Sequence, residues 1–146
     1  MPIPEFINGM LPEGVWDCSL AEIEARFSGF DRTAARRELF ANLKAYFEEA
    51  RGVGLIRAVF VDGSFVTDKP EPGDVDLIVV RANDKEAAED LKTFEYNTVS
   101  RRMITRLHKL DAAVVFEGSE KEAEYFDLFT MIRGEEVRKG ILRIVL

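Results

Sequence analysis

Only one cysteine, Cys18, occurs in the 146-residue chain, so no disulfide can form within it. A lone thiol suits a reducing compartment, and a cytoplasmic protein is the expectation. No apolar run approaches the roughly 20 residues that span a bilayer, so no membrane segment is expected. The opening MPIPEFINGMLPEG has neither a basic stretch nor a continuous apolar one, and does not read as a signal peptide. Positive charge is also short. Twenty Lys and Arg face 27 Asp and Glu, for a net charge of -7. A broad duplex-binding face normally carries a basic field, so extensive contact with nucleic-acid duplex is not expected. Repeats and low-complexity tracts are missing. What remains, 47% hydrophobic and 32% charged, is the composition of one globular domain.

The first 18 residues hold three of the five prolines and no helical period, and are expected to form an extended arm before a single domain over 19–146. Ser19-Leu-Ala-Glu22 is a capping-box pattern opening a short helix to about Phe27. Asp31 can cap a longer one. There Ala35, Leu39, Leu43 and Phe47 recur every four residues, Arg36, Arg37 and Glu38 read as part of the outer face, and Gly52-Val-Gly54 ends the run. Strands are predicted at Leu55–Val61, Asp74–Val80 and Leu110–Phe116, the second apolar enough at its end for burial on both faces.

Between the second and third of these strands, a long helical stretch is predicted. It opens at Asn83 or Asp84, runs to about His108, and has a break expected at Asn97-Thr98. Another helix follows Ser119-Glu-Lys-Glu122, includes Met131 and closes at Gly134. Ile141–Leu146 is expected as an edge strand or ordered tail. The pattern predicts an α+β domain, a small mixed sheet packed by helices.

The chemistry lies in VDGSFVTDKPEPGDVDLIVV, residues 61–80. Gly63-Ser64 leaves a strand at a turn, where a glycine lets the backbone approach a phosphate and a serine can help hold its oxygens. Asp74 and Asp76 are two apart. On a strand that puts both on one face, where two carboxylates repel unless a cation joins them. Asp111 opens a later apolar strand and can complete such a site. Magnesium suits carboxylates that share it with substrate phosphates, and a pair of ions can serve both the attacking and the leaving oxygen.

Gly-Ser, a spacer, Asp-x-Asp on an apolar strand and a later single Asp together resemble the nucleotidyltransferase (DNA polymerase beta-like) superfamily. The wording of residues 61–80, with Pro12-Glu13-Gly14 and Lys139-Gly140-Ile141, is similar to a group of short, largely uncharacterised bacterial members. The resemblance implies a nucleotidyltransferase-like fold. It also implies that Gly63 and Ser64 contact a nucleoside triphosphate such as ATP, and that Asp74, Asp76 and Asp111 bind two Mg²⁺ ions, with Mn²⁺ as an alternative. Asp111 would then assist the acceptor side. Asp62 is an extra acid that the superfamily pattern does not need.

The implied reaction moves a nucleoside monophosphate from the triphosphate to a hydroxyl of an RNA end, a protein side chain or a small molecule. Only about 30 residues follow the third strand, with no separate acceptor-binding module in view. That shortness motivates a rival reading, a non-catalytic nucleotide- or partner-binding module within a toxin–antitoxin or phage-defence pair. It leaves room for a second copy of the chain or a small helical partner protein. Arg101, Arg102, Arg106, His108 and Lys109 suggest phosphate binding, but cations in a helix's last turns also complement its dipole, and that reading is preferred.

Overall fold

The computed structural model describes residues 3–28, 34–82, 91–131 and 138–146. It is an α+β fold, a five-stranded mixed sheet packed by helices. In chain order the elements are β1 (Val15–Asp17), α1 (Leu20–Ile23), α2 (Ala35–Val53), β2 (Ile56–Asp62), β3 (Asp76–Arg81), α3 (Thr93–Val99), α4 (Arg101–His108), β4 (Asp111–Phe116), α5 (Glu120–Thr130) and β5 (Ile141–Val145). The strand order is β1-β5-β2-β3-β4. The pairs β1–β5 and β3–β4 are parallel; β5–β2 and β2–β3 are antiparallel.

Local signals explain the helix ends. The Ser19 hydroxyl accepts from the Glu22 N–H at 3.1 Å while Ser19 N–H donates to Glu22 Oε1 at 3.2 Å, a complete capping box. Ser119 caps α5 in the same way from its side, but Glu122 reaches one residue further back, to Gly118 N–H at 2.7 Å. Gly54 ends α2 in the left-handed region with φ 76°. The break between α3 and α4 falls at Ser100, whose hydroxyl caps α4 by accepting from Met103 N–H, and not at Asn97-Thr98. Met131 lies just past α5 and is half-exposed. The expected caps at Asp31 and at Asn83 or Asp84, and the stop at Gly134, fall outside the described residues.

Two apolar layers result. On one face of the sheet, Val59, Val61, Leu77, Val79, Leu142 and Ile144 join a core with Phe40, Leu43, Tyr46 and Phe47 of α2. On the other, Phe60, Ile78, Val80 and Val115 meet Tyr125, Phe126 and Phe129 of α5. Burial on both sides explains the continuous apolar run of β3.

Two expectations change here. The arm does not merely precede the domain: Val15–Asp17 pairs with Ile141–Arg143. And β5 is no edge strand, because it lies between β1 and β2 with Ile141, Leu142 and Ile144 buried.

Candidate active site

The candidate side chains gather where three strands begin or end together. β2 finishes at Asp62, β3 starts at Asp76 and β4 starts at Asp111. Asp62 is in register with Asp76, and Asp76 with Asp111. Residues in register share a face, so the three acids form a row across adjacent strands. By alternation they lie on the face of Phe60, Ile78 and Val115.

The row ends in cations. Lys139 Nζ is 3.0 Å from Asp62 Oδ1, with both side chains largely buried. Arg101 Nη2 is 3.5 Å from Asp111 Oδ1, both exposed. Asp76 sits between without an ion-pair partner among the described residues. Burial, then repulsion from Asp74, Asp111 and Asp62, pushes its carboxyl up to about 7, with Lys139 opposing. Burial likewise raises Asp62 above the ordinary carboxylate range, although Lys139 pulls the other way. A carboxyl raised by neighbouring carboxylates is one whose charged form an added cation would relieve.

Asp74 is not on the strand, as the spacing had suggested; β3 begins two residues later. Gly73 and the two prolines before it hold this stretch in a loop, and Asp74 turns to the Gly63-Ser64 turn instead. Its Oδ1 accepts from Ser64 N–H at 3.2 Å and from Ser64 Oγ–H at 2.8 Å. Ser64 Oγ also accepts from Gly73 N–H. Gly63 adopts φ 91° and ψ -178°, a conformation confined almost wholly to glycine. A Cβ there would stand 3.0 Å from the Asp76 backbone nitrogen. The glycine therefore lets the turn lie directly on the start of β3.

Gly63, Ser64, Thr67, Lys69, Gly73, Asp74, Asp76 and Lys139 line an open cleft of about 680 Å³. The structure thus brings Gly63, Ser64, Asp74 and Asp76 to one cleft and places Asp111 in register beside Asp76. Among the described residues, no three of His, Cys, Asp and Glu are grouped closely enough to form a ready-made cation cage.

A family profile matches residues 4–145. The chain belongs to that family. Its description is "Family of unknown function (DUF6932)". The DUF6932 match spans the arm, the acid row and β5 together. No curated protein and no solved structure matches the chain.

Two residues of this DUF6932 member were not legible as site components. Lys139 comes from just before β5, 77 positions from Asp62. Arg36, expected on the outer face of its helix, is fully buried. Its guanidinium donates to the carbonyls of Phe27 (3.2 Å), Phe65 (2.6 Å), Thr67 (2.7 Å) and Lys69 (2.5 Å). It pins the loop that leaves Gly63-Ser64 and lines the cleft. The only pattern that could have marked it is its place beside the apolar stripe of α2.

Of the basic group, His108 is buried, with Nε2 3.2 Å from Glu49 Oε2 and its ring edge-on to Tyr46. Lys109 caps α4 with φ 56°. Among the described helices, none is long and apolar enough to cross a membrane.

Proposed function

We propose that this chain is a Mg²⁺-dependent nucleotidyltransferase that moves a nucleoside monophosphate from a nucleoside triphosphate to an acceptor hydroxyl. The observation that carries the reading is the row Asp62, Asp76 and Asp111 lying beside the Gly63-Ser64 turn, with the central carboxylate lacking a cation partner among the described residues. The sequence resemblance to the nucleotidyltransferase superfamily supports the same assignment.

Asp74, Asp76 and Asp111 would hold Mg²⁺, or Mn²⁺ in its place; the donor set fits, being all carboxylate oxygen. When bound, the metal supplies charge neutralisation for the triphosphate and for the attacking oxygen. The chain's own groups do the rest. Gly63 gives the backbone close access to the phosphates, and Ser64 offers its N–H and hydroxyl to them. Asp111, exposed at the far end of the row, stands on the acceptor side and can take the hydroxyl proton. Arg101, beside it, would meet an anionic acceptor first. Catalysis on this plan is mostly positioning and electrostatics.

Labelled NTPs with Mg²⁺ and separate pools of RNA, protein and small-molecule acceptors test it. Pyrophosphate release with label transfer, abolished in Asp76→Asn, is the expected result. No transfer to any pool together with no Mg²⁺-dependent NTP binding would overturn it.

A further inference from the structure

Among the described residues, Lys139 is the one cation that both lines the cleft and forms an ion pair with the acid row. Its side chain is 20% exposed and its Asp62 partner 4%. Such burial is costly for a lysine unless its charge is matched. The ammonium has three donors, and Asp62 Oδ1 takes one at 3.0 Å. Lys139 also lines the cleft that contains Ser64 and Asp74.

The backbone around Lys139 is tightly held. Lys139 N–H donates to the Thr130 carbonyl at 2.8 Å and Gly140 N–H to the Leu11 carbonyl at 3.0 Å. A Cβ on Gly140 would collide with the Pro12 carbonyl, which also accepts from Trp16 Nε1 at 2.9 Å. The arm therefore closes over Gly140 and sets where Lys139 enters the cleft. A side chain delivered this rigidly, with its charge anchored on a buried acid, is a preorganised anion ligand.

We infer that Lys139, anchored by Asp62, is a binding residue for the polyphosphate of the substrate, and that Asp62 is its positioning residue rather than a metal ligand. This rests on the nucleotidyltransferase reading and deepens it. It assigns the triphosphate to the Ser64–Lys139 end of the row and the acceptor to the Asp111–Arg101 end.

The test is titration calorimetry of the full chain with Mg²⁺ and each of two probes, inorganic tripolyphosphate and ATP. Lys139→Met should weaken binding of both by at least ten-fold, and Lys139→Arg by less. Because Lys139→Met leaves Asp62 buried without its cation, the double variant Lys139→Met/Asp62→Asn removes both charges and keeps the comparison on folded protein. It should bind as weakly as the single variant. Lys121→Met, at an exposed position of α5, should bind like the wild type. Wild-type binding that Lys139→Met or the double variant leaves unchanged overturns this inference alone. Failure of the wild type to bind either probe with Mg²⁺ overturns this inference, and overturns the nucleotidyltransferase reading as well only if no acceptor pool receives label from any NTP.

Discussion

Asp74 Oδ1 accepts two hydrogen bonds from Ser64, one from its N–H at 3.2 Å and one from its hydroxyl at 2.8 Å. A carboxylate oxygen thus sits where the proposed function requires a phosphate oxygen. Substrate must displace it, and a metal would draw Asp74 the same way. Asp74→Ala should therefore bind inorganic tripolyphosphate without metal more tightly than the wild type, yet lose the gain in affinity that Mg²⁺ gives. Calorimetry with and without EDTA reads both effects. A variant with unchanged metal-free affinity would show that Asp74 does not guard the turn.

The central carboxylate makes stability depend on pH. Asp76 is raised from 3.8 to about 7 in the fold, so the folded chain holds a proton that the unfolded chain has released. That favours the fold below about 4 and progressively less as pH climbs through 7. Asp76→Asn removes the penalty. In EDTA at pH 8 its thermal midpoint should exceed the wild type's by a few degrees, about 1 kcal/mol after allowing for solvent screening. The gap should close near pH 4. Melts across pH 4 to 8 check the sign.

At Gly63 the constraint is steric and conformational together. Gly63→Ala must carry a Cβ at φ 91° and 3.0 Å from the Asp76 backbone nitrogen. A cost of about 1–3 kcal/mol in unfolding free energy, measured by denaturant titration, is expected. Nucleotide binding should fall even where the variant is folded, since the turn must move off β3.

Arg36 should be as sensitive to substitution as a core residue. Arg36→Met keeps much of the volume but abandons the carbonyls of Phe27, Phe65, Thr67 and Lys69. Leaving a buried carbonyl without its donor costs about 1–3 kcal/mol. Arg36→Lys should recover only part of it, since an ammonium cannot reproduce the guanidinium fork. Chemical denaturation of the three proteins provides the ranking.

Cys18 is pushed up to about 12, chiefly by burial, with Glu22 and Asp17 adding to it. Only the thiolate attacks disulfide reagents. At pH 8 the folded chain should react orders of magnitude more slowly than the unfolded chain, measured with a chromogenic disulfide.

How far the sequence could be read follows from distance along the chain. Gly63, Ser64 and Asp76 were legible because a turn and the start of a strand are local matters. Asp111 was legible through its place before an apolar run. Asp74 lines the same cleft as Ser64 and Asp76 but does so from a loop, because strand alternation does not extend two residues back into the Pro-Gly segment. Arg36 looked like a solvated helix residue; its burial depends on carbonyls up to 33 positions away. Lys139 was visible only as part of a phrase, and its partner lies 77 positions back. β5 reads as a short apolar tail until the strands on either side of it are known.

The position of β5 also bears on how the protein is made. It is synthesised after the other four strands, yet it fills the gap between the first and the second. While the chain is still emerging from the ribosome, β2, β3 and β4 can pair, but β1 has no hydrogen-bonding neighbour and β2 keeps an open edge. Lys139 arrives immediately before that closing strand. All three acids of the row are therefore synthesised before the cation that anchors on it, and that cation comes with the strand that closes the sheet.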